Sequence, residues 1–106
     1  MIFSLTKDFK QNVKRLTKKY PSILDDLEKL FEDLNARPFQ GDALGGNCYK
    51  VRMAITSKGK GKSGGARVIT CIKIEKDTIH LLTIFDKSEI DNISDKYLDF
   101  LRKTIQ

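Results

Sequence analysis

The sequence predicts an α+β fold: an N-terminal strand, an αα-hairpin, a three-stranded antiparallel meander and a C-terminal helix. Three observations carry that reading. Apolar residues recur at helical spacing between Phe9 and Leu34. They alternate at strand spacing from Tyr49 to Ile55, and a β-branched run follows from Ala66 to Ile74. Short Gly-, Pro- and Asp-containing signals separate these runs.

Ile2 to Leu5 is short and apolar, as a first strand would be, and Thr6 suits a helix N-cap. Phe9, Val13, Leu16 and Tyr20 form one helical stripe, opposite Lys7, Lys10, Lys14, Lys18 and Lys19. Pro21 stops this helix and fits the first turn of the next. Leu24, Leu27, Leu30, Phe31 and Leu34 make the second stripe, with Asp25, Asp26 and Glu28 near the end where the helix dipole favours anions. Residues Asn35 to Gly46 read as a connector, broken by Pro38, Gly41, Gly45 and Gly46.

Cys48 to Ile55 reads as a half-buried strand. Tyr49, Val51, Met53 and Ile55 share one face; Lys50, Arg52 and Ala54 share the other. A glycine-lysine loop follows, with Lys58, Lys60 and Lys62 alternating with Gly59 and Gly61, then Ser63, Gly64 and Gly65. It leads into the strand Ala66 to Ile74, in which Arg67, Ile69, Cys71 and Lys73 share a face. After a Lys76-Asp77 turn comes the strand Thr78 to Phe85, where His80 is in phase with Leu82 and Ile84. Ser94 is an N-cap for the last helix, with Ile93 and Leu98 placed as a hydrophobic staple.

A chain of 106 residues is expected to be one domain, 1–106, with a modest core. It has no apolar run long enough to cross a membrane. MIFSLTKDFKQ lacks the build of a signal peptide, so a cytoplasmic location is expected. Cys48 and Cys71 are the only cysteines and His80 the only histidine, which argues against a structural metal site. Both cysteines read as reduced, small apolar side chains in strands.

The net charge is +6, and one region holds all of it. Lys50 to Lys76 carries eight basic residues and one acid, whereas the rest of the chain has 12 basic against 13 acidic. Such a patch fits a polyanion, most simply nucleic acid. GKGKS has the end of a phosphate-binding P-loop in Gly61-Lys62-Ser63, but Thr56 stands where the first glycine is required. The loop also leads into a strand, so no helix N-terminus faces a phosphate. Nucleotide hydrolysis is rejected, and the loop is read as lysines that follow an irregular backbone.

The segment Tyr49 to Ser94 resembles the RelE-like toxins of bacterial toxin–antitoxin systems, within the RelE/ParE superfamily and most closely the HigB-type branch. The pieces that carry the resemblance are YKVR at Tyr49–Arg52, GKGKSGGARVI at Gly59–Ile69 and LLTIFDKSE at Leu81–Glu89. It implies a microbial-RNase-like sheet with helices on one face. It implies a bacterial, cytoplasmic toxin: a ribosome-dependent endoribonuclease that cuts mRNA in the A site and inhibits translation. No metal or other cofactor is implied. The implied partner is a cognate antitoxin of the helix-turn-helix DNA-binding type, acidic on its binding segment.

Cleavage by attack of a 2′-OH on the adjacent phosphate needs a base, an acid and cations for the developing charge. Arg67 is the candidate for charge stabilisation, since a guanidinium binds phosphate through paired donors. Lys87 is the candidate general acid or base. Lys50, Arg52, Lys58, Lys60 and Lys62 are candidate RNA contacts, and Phe85 a candidate stacking platform. Some relatives have histidine or tyrosine near Phe85, which itself has no proton to give. Each residue has a plainer reading: Arg67 paired with Asp86, Lys87 an exposed turn residue, Phe85 a core residue. Glu89 is a further carboxylate, placed to hold Lys87 or to act itself. The alternative functions are a ParE-like inhibitor of gyrase and a catalytically degenerate RNA-binding module.

Overall fold

In the computed structural model, which describes residues 1–106, the chain runs through eight main elements. They are β1 (Ile2–Leu5), α1 (Lys7–Lys19), α2 (Ile23–Ala36), β2 (Asp42–Gly45), β3 (Cys48–Met53), β4 (Ala66–Lys73), β5 (Thr78–Asp86) and α3 (Asp95–Lys103). Single 3₁₀ turns at Thr56–Lys58 and Ile74–Lys76 complete the path. The α+β class and the element order match the expectation, with one strand added. That strand is β2, inside the segment read as a connector; it pairs antiparallel with β3 despite its glycine. No helix is long and apolar enough to cross a membrane.

The helix boundaries follow local chemistry. The Thr6 hydroxyl accepts from the Phe9 N–H at 3.1 Å and caps α1, and Ser94 does the same for α3 through the Tyr97 N–H at 3.1 Å. Tyr20 ends α1 just before Pro21, with its N–H donating to the Leu16 carbonyl at 2.8 Å.

The five strands form one sheet in the order β1-β5-β4-β3-β2. The β3–β4–β5 meander is antiparallel, and β1 returns to lie parallel to β5. Side-chain alternation then divides the sheet. Val51, Met53, Val68, Ile72, Ile79, Leu81 and Ile84 pack against Phe9, Leu16, Leu27, Leu30 and Leu34 of α1 and α2. Cys48, Ile69, Cys71, Leu82 and Phe85 pack against Leu98 and Leu101 of α3. The helices therefore cover both faces, which corrects the expectation of helices on one face. Apolar residues on each side of β4 require a cover on each side.

An irregularity in register between Ile69 and Thr70 accounts for a second difference. Ile69 pairs with Thr83 and Thr70 with Leu81, leaving Leu82 as an extra residue in β5. After this bulge the alternation resumes out of step. Leu82 and Phe85 both face α3, whereas Ile84 joins the α1–α2 core. His80 is thus not in phase with Ile84. Burial, with Lys73 and Lys76 nearby, holds its imidazole below the usual range.

Candidate nucleic-acid interface

The register places Arg52, Arg67 and Phe85 in one row across β3, β4 and β5. Lys50 follows two residues away on the same face, opposite Ile69. The alternation that buries Val51 and Met53 beneath the helices necessarily turns Lys50 and Arg52 to the other side. A shallow cleft of about 190 Å³ is lined by Gln40, Asp42, Lys50, Arg52 and Lys62. Lys50, Arg52 and the loop residue Lys62 are thereby brought together. Arg52, Lys60 and Lys62 are exposed. The Lys50 ammonium donates to Asn92 Oδ1 at 3.4 Å.

Arg67 is nearly buried. Its Nη1 donates to the carbonyls of Lys62 at 3.0 Å and Ala66 at 3.1 Å, and its Nη2 to the carbonyl of Ser63 at 3.2 Å. These bonds tie the glycine-lysine loop to the sheet. Its Nε–H and one Nη2–H have no such partner. Burial and then repulsion from Arg52 lower the tendency of Arg67 to hold its proton, and Asp42 partly offsets this. The pairing with Asp86 does not occur. Asp86 lies opposite Ala66 and faces the other side of the sheet.

Asp86 is fully buried there. It accepts from Lys58 Nζ at 2.6 Å, Tyr20 Oη at 2.6 Å, Ser88 N at 3.0 Å and Ser88 Oγ at 2.8 Å. Burial opposes its ionisation, but the hydrogen bonds from Lys58, Tyr20 and Ser88 prevail and hold it well below the usual carboxylate range. Lys58 also donates to the Gly64 carbonyl at 3.1 Å and sits 5.1 Å from the Tyr20 ring centroid. Burial disfavours the charged ammonium, yet the bond to Asp86 and its charge raise the Lys58 pKa. Lys58 was expected among the loop lysines that meet RNA; its ammonium is instead turned into the protein. Asp86 decides this: its buried charge draws in Lys58 at 2.6 Å, while Lys19 stays 4.0 Å away.

Phe85 is also displaced from its expected role. Its ring is buried in the cluster beneath α3, so it presents no open face for a base. Lys87 directly follows β5, and its N–H donates to the Gly65 carbonyl at 3.1 Å. Its ammonium stands 3.8 Å from Asp91 and remains partly exposed. Glu89 does not hold Lys87; it pairs with Arg15 at 3.2 Å.

The sequence reading missed Tyr20 and Asp26. Tyr20 counted only as the end of an apolar stripe, yet its hydroxyl binds Asp86. Asp26 is buried, and its carboxylate accepts from the Thr56 N–H at 2.9 Å and from the Thr56 hydroxyl, fixing the start of the basic loop. Asp25, Asp26 and Glu28 all suit a helix N-terminus, so the sequence does not mark Asp26 out from its neighbours. Gly65 is required where the loop meets β4. A Cβ there would run into the Met53 carbonyl oxygen and lie 2.9 Å from the Ile55 nitrogen. A cavity of about 650 Å³ between α1 and α2 holds none of the candidate residues.

Comparison with known proteins agrees with this architecture. The isolated E. coli RelE toxin has a TM-score of 0.63 at 14% identity, with 96% of each chain covered. A double-arginine mutant of E. coli RelE in the free state has a TM-score of 0.58 at 14% identity, covering 85% of this chain and 86% of that one. At that identity the likeness shows the fold. The family model described as the RelE toxin of the RelE/RelB toxin–antitoxin system matches residues 5–106. The chain therefore belongs to the RelE toxin family of toxin–antitoxin systems.

Proposed function

We propose that this toxin is a ribosome-dependent mRNA endoribonuclease of the HigB-type branch. Its exposed cations bind the RNA backbone, and Arg67 stabilises charge on the scissile phosphate. The observation that supports this most is the Arg52–Arg67 pair across β3 and β4, beside the cleft that joins Lys50, Arg52 and Lys62. Lys50, Arg52, Lys60 and Lys62 supply affinity for a polyanion without reading bases. Arg67 has a rigid position on a strand and two N–H groups not used by the loop, which fits a donor pair for phosphate oxygens.

In this reading the 2′-oxygen attacks the adjacent phosphorus and the bond to the 5′-oxygen breaks, leaving a cyclic phosphate. Lys87 transfers a proton at the strand end, where its ammonium retains solvent access. Phe85 takes no part as an acid, and its burial makes it a packing residue. The partner is a cognate antitoxin with an acidic binding segment and a helix-turn-helix DNA-binding region. The site of action is the ribosomal A site in the bacterial cytoplasm.

Primer extension on mRNA after induction tests this reading. Translation-dependent cuts, lost in Arg67→Ala and Lys87→Ala, are expected. Growth arrest with intact mRNA and gyrase-trapped DNA breaks would overturn it in favour of a ParE-like target.

A further inference from the structure

We propose that Cys48 and Cys71 form a reversible disulfide between β3 and β4 in response to peroxide, with Cys48 attacking and Cys71 resolving. The two residues are direct register partners. The Ile72 N–H donates to the Asn47 carbonyl at 2.9 Å, which makes Asn47 and Ile72 a hydrogen-bonded pair. Cys48 and Cys71, next along the ladder, are then a non-hydrogen-bonded pair. Such pairs bring Cα atoms to about 4.5 Å and side chains closest together. That separation lies inside the range of about 4.4–6.8 Å that a disulfide spans. Both sulfurs also approach one acceptor, the Gly46 carbonyl, at 3.8 Å from Cys48 and 3.7 Å from Cys71. They therefore lie on the same side of the ladder.

The surroundings distinguish the two thiols. Arg102 reaches over from α3, and its Nη2 donates to the carbonyls of Leu44 at 2.9 Å and Gly45 at 3.1 Å. Its Nε is buried and has no acceptor. A buried N–H left unpaired is costly, and a thiolate at the adjacent Cys48 would satisfy it. The Cys48 thiol is lowered to about 7: a hydrogen bond from Cys71 outweighs burial, helped by Arg102 and Lys73. Cys71 is pushed up by the same hydrogen bond and by burial. The thiolate is the nucleophile, and the unpaired Arg102 Nε–H beside Cys48 favours the thiolate there, which makes Cys48 the attacking residue. Leu98 and Leu101 cover the pair from a helix of nine residues, and local opening of that short element admits a small oxidant.

The chemistry balances with hydrogen peroxide as the oxidant. The Cys48 thiolate attacks one peroxide oxygen, an S–O bond forms and the O–O bond breaks, and hydroxide leaves to be protonated to water. Cys71 sulfur then attacks the sulfenic sulfur. The S–S bond forms, the S–O bond breaks, and hydroxide leaves with the Cys71 proton as water. The two thiols are oxidised together by two electrons and the peroxide is reduced. A thiol reductant reverses the change. This inference does not depend on the nuclease reading.

The test uses the full, reduced chain treated with hydrogen peroxide, quenched by alkylation and examined by intact mass and peptide mapping. The monomer should lose the mass of two hydrogens and yield a linked Cys48–Cys71 peptide, and a thiol reductant should restore the starting mass. Cys71→Ser should stop at a sulfenic acid on Cys48, captured by dimedone. Cys48→Ser should react at least about tenfold more slowly, since no activated thiolate remains. If either variant fails to fold, iodoacetamide labelling of the unaltered protein replaces it. Cys48 should then react ahead of Cys71, with a midpoint near neutral pH. The proposal is overturned if both thiols survive doses that oxidise the denatured chain, or if the links join separate chains. It is also overturned if Cys71 is the residue attacked first, or if labelling requires global unfolding.

Discussion

Arg67 and Asp86 stand on neighbouring strands, one register pair apart, and face opposite sides of the sheet. Arg67 holds the carbonyls of Lys62 and Ser63 on the α3 side, while Asp86 holds Lys58 on the helical-hairpin side. The start and the middle of the basic loop are thus fastened separately. This arrangement sorts the loop lysines into one that stabilises the protein and two that are free for a ligand.

Arg67→Ala should slow mRNA cleavage sharply. Removing a donor that meets developing charge costs about 10²–10³ in rate. Arg67→Lys should not restore it, because one ammonium cannot serve both the loop carbonyls and a phosphate. Single-turnover cleavage on programmed ribosomes measures the rate, and limited proteolysis of the loop reports its release. Full cleavage by Arg67→Ala would remove Arg67 from the chemistry.

Lys60→Ala and Lys62→Ala should weaken RNA binding while leaving the melting temperature unchanged, since both side chains are exposed. Each should reduce the salt slope for single-stranded RNA by about 0.7. Lys58→Ala should behave in the opposite way, lowering stability because Asp86 loses its partner. Fluorescence titration across salt concentrations, with thermal melts in parallel, separates the two behaviours. Equal effects from all three lysines would contradict the inward placement of Lys58.

Asp86→Asn should cost about 3–5 kcal/mol of stability, the usual consequence of leaving one member of a buried ion pair alone. Lys58→Met, combined with Asp86→Asn, should recover part of that loss, because an uncharged pair has no buried charge to satisfy. Urea denaturation of the two single variants and the double variant gives the coupling directly. Additive losses would show that the two groups do not interact.

The same pair should shape the pH dependence of stability. Asp86 has a folded pKa below its unfolded value of about 3.9. Its contribution is complete above that pH and is lost as pH falls toward the folded value. Lys58 has a folded pKa above its unfolded value of about 10.4, so its contribution is complete below that pH and fades as pH rises through the folded value. Urea midpoints measured down an acid series should fall more steeply for the natural protein than for Asp86→Asn. Parallel curves would assign the acid sensitivity elsewhere.

Gly65→Ala should destabilise the fold by about 1–3 kcal/mol, as overpacking does, because the new Cβ meets β3 backbone. Gly64→Ala should be better tolerated. Its Cβ would lie 2.9 Å from Lys60 Cβ, which moves only with its backbone, but that backbone belongs to an exposed loop and not to a sheet strand, so the loop can shift. Thermal melts of both variants check the contrast, and a larger loss from Gly64→Ala would reverse it.

The α+β class, the order of the main elements, the two side-chain caps at Thr6 and Ser94, and the concentration of charge between Lys50 and Lys76 are all legible in the sequence. These depend on local periodicity, on capping chemistry and on composition, all of which can be read along the chain. Alternation within one strand also groups Lys50 with Arg52, but only the β3–β4 register brings Arg67 onto their face. Tertiary structure alone decided the rest. The bulge at Leu82 shifted the alternation within β5, and only pairing with β4 reveals a bulge. α3 took the second face because β4 is apolar on both sides. Lys58 turned inward because Asp86, 28 positions later, is buried within reach of it. Cys48 and Cys71 became neighbours through register, which no spacing in the sequence encodes. Each of these outcomes rests on a contact between residues distant in the chain, and the energy of burying a charge or an apolar face appears only when that contact is made.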